Sequence, residues 1–124
     1  MHEIIAGLKK AGFKGETDTN PATLDMFSHD ASMFEIRPTL VVTPQDAKDV
    51  ATLVKAIARD KKTDKKLSLT ARSAGTDMSG GAINDSIIVD FQKNFRKIVK
   101  VTSTSAHVQP GVFYRDFEPE TLKH

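Results

Sequence analysis

The sequence contains no cysteine and no tryptophan, and a single tyrosine among its 124 residues. Without cysteine there is no disulfide framework, no thiolate nucleophile and no sulfur ligand for a metal. That lack fits a reducing compartment. The N-terminus, Met1-His2-Glu3-Ile4-Ile5, also carries no basic region ahead of a long apolar one, so the expectation is a cytoplasmic protein without a secretory signal. No apolar run approaches the ~20 residues that a membrane-spanning helix needs. An excess of one charge is missing as well. The balance of 18 Lys and Arg against 16 Asp and Glu leaves +2, too little to argue for a nucleic-acid or membrane-surface partner. The most basic stretch, 59–66, interleaves its acids with its bases and has no aromatic neighbour on which a nucleobase could stack, so it reads as a solvated helix end. The four histidines (His2, His29, His107, His124) lack metal-ligand spacing, and neither His29 nor His107 has a serine or carboxylate at an informative distance along the chain.

What is present describes one domain with room for one core. No internal repeat or linker divides it. Residues 3–10 read as a short helix stopped by Gly12. Asn20-Pro21 reads as a helix cap followed by proline in the first turn, with Leu24 and Phe27 on one face. Pro38–Thr43 is a strand candidate covered on both sides. Thr43-Pro44-Gln45-Asp46 is expected to open a helix, with Thr43 as cap and Ala47, Val50, Val54, Ile57 and Ala58 as its core stripe. A strand follows from Leu67, which makes a strand–helix–strand unit. Ser86–Phe91 is a further strand, with Phe91 and Phe95 closing over the core. Residues 96–102 and 106–109 read as an antiparallel pair around Ser103-Thr104-Ser105. Phe113 and Phe117 have helical spacing in a tail that Pro119 is expected to limit. The fold class is therefore α+β: a βαβ start and a small mixed sheet with helices mainly on one face.

Between the strand candidates at 67–71 and 86–91 lies Arg72-Ser73-Ala74-Gly75-Thr76-Asp77-Met78-Ser79-Gly80-Gly81-Ala82. Small residues let the backbone approach a ligand closely, and glycine permits the positive φ that turns successive N–H groups inward. Such a concavity binds anions, phosphate and pyrophosphate above all. The loop has no Gly-Lys-Ser/Thr ending and does not open a helix, so it is neither a Walker A loop nor a Rossmann fingerprint. By pattern alone three readings stay open: a phosphate or nucleotide cradle, a purely structural connection without ligand, or a piece that self-associates through exposed apolar surface.

The order of parts carries a resemblance. Asp30-Ala31-Ser32, Arg37–Pro44, Asp46–Val54, the loop Arg72–Ala82, Ile87–Asp90 and Val108–Val112, spanning roughly residues 24–124, resemble the N-terminal half of the PCMH-type FAD-binding domain of the vanillyl-alcohol-oxidase superfamily. The D-lactate dehydrogenase and glycolate oxidase branch is the most similar. The resemblance implies FAD as cofactor, with Ser73, Ala74, Gly75, Thr76 and Asp77 around the pyrophosphate and Gly81 and Ala82 on the returning side. It implies Pro110, Gly111 and Pro44 near the cofactor. Some branches carry a histidine at the Thr76 position that bonds to the flavin ring. Threonine cannot, so non-covalent FAD is expected. Asp77 stands where the family often has serine, and a carboxylate beside a pyrophosphate repels it unless it caps the loop's own amides. The implied activity is a flavoprotein oxidoreductase that oxidises a 2-hydroxy acid such as D-lactate or glycolate by hydride transfer. Residues 1–124 are expected to be the pyrophosphate-binding part of that domain, inactive alone, with the rest of the domain and the substrate domain in a missing C-terminal portion.

Overall fold

The computed structural model describes residues 2–124. In chain order the elements are α1 (His2–Lys10), β1 (Glu16–Asp18), α2 (Pro21–Met26), β2 (Leu40–Thr43), α3 (Ala47–Asp60), β3 (Leu69–Arg72), β4 (Ile87–Asp90), β5 (Ile98–Val101), β6 (Ala106–Val108) and α4 (Tyr114–Thr121). Four strands form a mixed sheet in the order β1-β2-β4-β3. β1 runs antiparallel to β2, and β4 is parallel to both β2 and β3.

Strand side chains alternate between faces, and here the alternation separates two environments. Leu40 and Val42 of β2, Ile87 and Val89 of β4 and Leu69 of β3 pack on Leu8 of α1, on Phe13, and on Leu53, Ala56 and Ile57 of α3. The opposite face carries a smaller cluster, Val41 and Ile88 under Leu24 and Phe27. The helices therefore lie mainly, but not wholly, on one face.

The strand–helix–strand unit forms, yet β4 inserts between its two strands, so β2 and β3 do not pair. Parallel neighbours need a crossover of a dozen or more residues. Between β3 and β4 that crossover is residues 73–86, which contain no helix or strand.

Several local expectations shift. Asp46, not Thr43, caps α3: its Oδ1 accepts the Asp49 N–H at 2.9 Å. Thr43 ends β2. Val54 is exposed, and so are Ala47 and Ala58; the buried face of α3 is Asp49, Leu53, Ala56 and Ile57. Asp49 tolerates burial because its carboxylate accepts the Lys14 N–H at 2.9 Å and the Gln45 N–H at 3.0 Å, which replaces the water a buried charge loses. α4 runs through Pro119 to Thr121. A proline this close to a helix end removes one bond in a turn that is finishing anyway. The 98–101 and 106–108 strands pair antiparallel as expected, with the turn tied by Thr102 Oγ1 to Ser105.

Candidate functional site

The C-terminal ends of β3 and β4 face the crossover loop. Ser73, Ala74, Gly75, Thr76, Asp77, Gly81 and Ala82 all line one open concavity of about 240 Å³, together with Ala71 and Arg72. Gly75 adopts φ +67° and Gly80 φ +85°, in the left-handed region. Among the described residues, the main-chain N–H groups of Ala74, Gly75, Thr76 and Met78 donate to no other group of the chain. Exposed, unpaired amides around a concavity are what an anion requires.

Two side chains hold the loop in this shape. Asp77 Oδ1 accepts the Ser79 N–H at 2.8 Å, the Ser79 hydroxyl at 2.9 Å and the Gly81 N–H at 2.9 Å. The Gly81 N–H, followed by the Ser79 groups, holds the Asp77 carboxyl below the usual aspartate range. The carboxylate caps the loop's own returning amides, which resolves its expected conflict with a bound anion. It also occupies the Gly81 N–H, so Gly81 contributes room and not a donor. A Cβ at Gly81 would press within 3.2 Å of Asp77 Oδ2.

Arg72 lies behind the turn. Its Nη1 donates to the His29 carbonyl at 2.6 Å and, at longer range, to Phe27 O at 3.4 Å and Ala82 O at 3.5 Å. The guanidinium stacks 5.1 Å from the Phe27 ring centroid. A Cβ at Gly75 would fall 2.7 Å from Arg72 Cζ and would have to displace the guanidinium on which the turn rests. Burial draws the Arg72 pKa down, while Asp30 and Asp90 pull it back up.

Beside the loop lies a larger cleft of about 400 Å³, sharing Arg72, Ser73 and Ala74 with the first. Its apolar walls are Met26, Phe27 and Phe113; its polar ones include Asp90, Gln92, Lys93 and Arg96. Half-burial raises the Asp90 carboxyl pKa, against a lowering by the Gln92 N–H. Gln92 Oε1 is buried without a hydrogen-bond partner, while Nε2 donates to Gly111 O at 3.1 Å. None of Met26, Gln92, Lys93, Arg96 or Phe113 was marked by the sequence, because they come from α2 and from the segment after β4 and meet only in space.

Pro110 and Gly111 line neither cleft. Gly111 serves packing: its N–H donates to Phe95 O at 2.7 Å, and a Cβ there would fall 2.6 Å from the same oxygen. Pro44 is fully buried and its carbonyl accepts from Asn94 Nδ2 at 2.9 Å. His29 does find partners that spacing hid, Ser28 Oγ at 2.8 Å and Glu35 at 3.5 Å. Ser28 is 1% exposed and its hydroxyl donates to Asp25 O, so it is not a nucleophile. Among the described residues no group of three acidic or histidine side chains is placed to hold a metal, and no helix is long and apolar enough to cross a membrane.

Within the mixed sheet, parallel strands β3 and β4 are joined by a loop whose unpaired amides have the form of an anion-binding concavity. The particular family follows from comparison: a family model described as an FAD binding domain matches residues 38–124, and the chain belongs to that family. It is 31% identical over 106 residues to D-2-hydroxyglutarate dehydrogenase of Escherichia coli (strain K12), a match covering 86% of this chain and 10% of that protein. The chain thus spans about a tenth of the length of the curated relatives it matches. Its fold is that of an alkyldihydroxyacetonephosphate synthase (TM-score 0.76, 17% identity, 99% of this chain and 25% of that one). It is also that of 6-hydroxy-D-nicotine oxidase from Arthrobacter nicotinovorans (TM-score 0.70, 24% identity, 91% and 24%). The family match, together with this shared fold, agrees with the PCMH-type resemblance read from the sequence.

Proposed function

We propose that this chain is the diphosphate-gripping part of an FAD-binding domain in a longer flavin-dependent dehydrogenase that oxidises a D-2-hydroxy acid. The observation that carries the reading is the turn at Gly75: Ala74, Gly75 and Thr76 line an open concavity, and their amides have no internal partners. The residues present fit the group: Gly75 has a positive φ and a Cβ there would push on the Arg72 guanidinium, and Asp77 is turned back on its own loop. Ala74, Gly75 and Thr76 would donate main-chain N–H groups, and the Thr76 hydroxyl would add a donor. Ser73 and Ala82 border the space, and Gly81 keeps it clear. Pro110 and Gly111 act at one remove, by fixing the segment that carries Gln92. Thr76 offers no imidazole for a bond to the flavin, so the cofactor is held non-covalently.

FAD, when bound, accepts the hydride; the protein contributes grip, orientation and exclusion of water. The substrate class comes from the relatives, which are named for D-2-hydroxyglutarate rather than for D-lactate or glycolate. The remaining nine-tenths of such a protein would supply the substrate site, and this stretch alone is inactive. Titration of the ¹⁵N-labelled chain with ADP and then FAD tests the grip. Shifts confined to the Ser73–Ala82 amides are expected. Amides there that ignore ADP, FAD and inorganic phosphate alike would overturn the reading.

A further inference from the structure

A half-buried positive charge is costly unless something compensates it. Arg72 touches three carbonyl oxygens and an aromatic face, yet among the described residues it forms no ion pair, although Asp30 and Asp90 are near enough to influence it. It also sits where the two clefts meet, and Gly75 rests directly on it. Carbonyl bonds orient a guanidinium without neutralising it. Asp30 and Asp90 offset its charge only from a distance, and it lies directly against a turn whose Ala74, Gly75 and Thr76 amides have no internal partner.

We infer that Arg72 is the positioning residue of the site: clamped by the Phe27, His29 and Ala82 carbonyls beneath Gly75, it fixes the turn with its amides outward and supplies the charge that balances a diphosphate. The inference rests on the diphosphate reading of the loop and adds to it a residue that acts through Gly75. A lysine at this place keeps the charge but cannot reproduce the planar fork. A glutamine keeps polarity and loses the charge.

The test uses the full ¹⁵N-labelled chain as wild type, Arg72→Gln and Arg72→Lys. Amide exchange at Ala74–Thr76 without ligand reads loop order. ADP dissociation constants across a salt series read charge. Arg72→Gln is expected to weaken ADP binding by about tenfold or more, the scale of a hydrogen bond to a charged group, to flatten its salt dependence, and to speed loop exchange. Arg72→Lys is expected to weaken ADP binding while keeping the salt dependence, a split that a merely structural role would not produce. The amides of β2 and β4 keep their shifts throughout. An Arg72→Gln chain that binds ADP as the wild type does, with the same salt dependence, overturns the inference. If Arg72→Gln does not fold, unchanged ADP affinity in Arg72→Lys overturns it instead. If the wild type itself ignores ADP, the diphosphate reading is what fails; Arg72 is then judged on loop order, where unchanged exchange refutes the positioning role and faster exchange upholds it.

Discussion

One face of the four-stranded sheet is closed by α1 and α3 over Leu8, Leu40, Leu53 and Ile87, each fully buried. The other carries only Val41 and Ile88 under α2, and toward the strand ends it turns polar, with Thr70, Arg72 and Asp90 in place of aliphatic residues. Alternation along the same three strands produces both. The closed face gains from burial, at about 1.5–3 kcal/mol for each large aliphatic side chain. The open face gives up that gain to hold a guanidinium, a half-buried carboxyl and unpaired amides. Stability and recognition are thus divided across a sheet one residue thick.

The largest break in this division is expected from Leu53→Ala on the closed face. Chemical denaturation should show a loss of about 2–5 kcal/mol, while the folded fraction keeps its ADP shifts at Ser73–Ala82. Loss of those shifts in still-folded protein would mean the two faces are not separable. A pair of glycine substitutions sharpens the contrast. Gly111→Ala drives a methyl against the Phe91 and Phe95 carbonyls; backbone has to move, and about 1–3 kcal/mol is the expected cost, with the loop's ADP response retained. Gly75→Ala meets a flexible side chain and a positive φ, costs only about 1 kcal/mol or somewhat more, and abolishes the ADP response. Reversed outcomes would exchange the roles given to the two turns.

The smallest effect concerns acid. Asp77 has its carboxyl lowered from the ordinary 3.8, first by the Gly81 N–H. A depressed carboxyl contributes order that is present above its unfolded value and lost as pH falls through its folded one. The Ser79 and Gly81 amide shifts should therefore titrate together below pH 3.8, with Leu40 and Ile87 unmoved. Independent titration, or a midpoint above that value, would remove Asp77 as the cap of the loop.

Much of the fold is legible in the sequence because its signals are local. Asn20-Pro21 caps α2 as expected, with Asn20 Oδ1 accepting from Ala22 N at 2.9 Å. The apolar run at 40–42, the strand at 87–90 and the Ser103–Ser105 turn also stand where pattern puts them. What pattern misses is decided at long range. β1 is three polar residues that become a strand only by pairing with β2, helped by Lys93 against Glu16 at 2.5 Å. The face of α3 is set by Asp49, whose burial depends on the Lys14 amide 35 residues earlier. At the site, residue types pointed to the loop, because small side chains and glycine are a local requirement. Arg72 carries no such local mark, since an arginine at the end of a strand is ordinary on a surface. Its placement depends on carbonyls 43 to 45 positions away.

The central place of β4 has a consequence for the loop. β2 and β3 precede β4 in the chain and share no ladder; each pairs with Ile87–Asp90, which lies between them. Residues 73–86 join β3 to β4, so the pairing that seats β4 in the hydrophobic seam also fixes both ends of the loop. A chain cut before Ile87 would lack the one strand through which β2 and β3 share a sheet, and the loop would lose its second anchor.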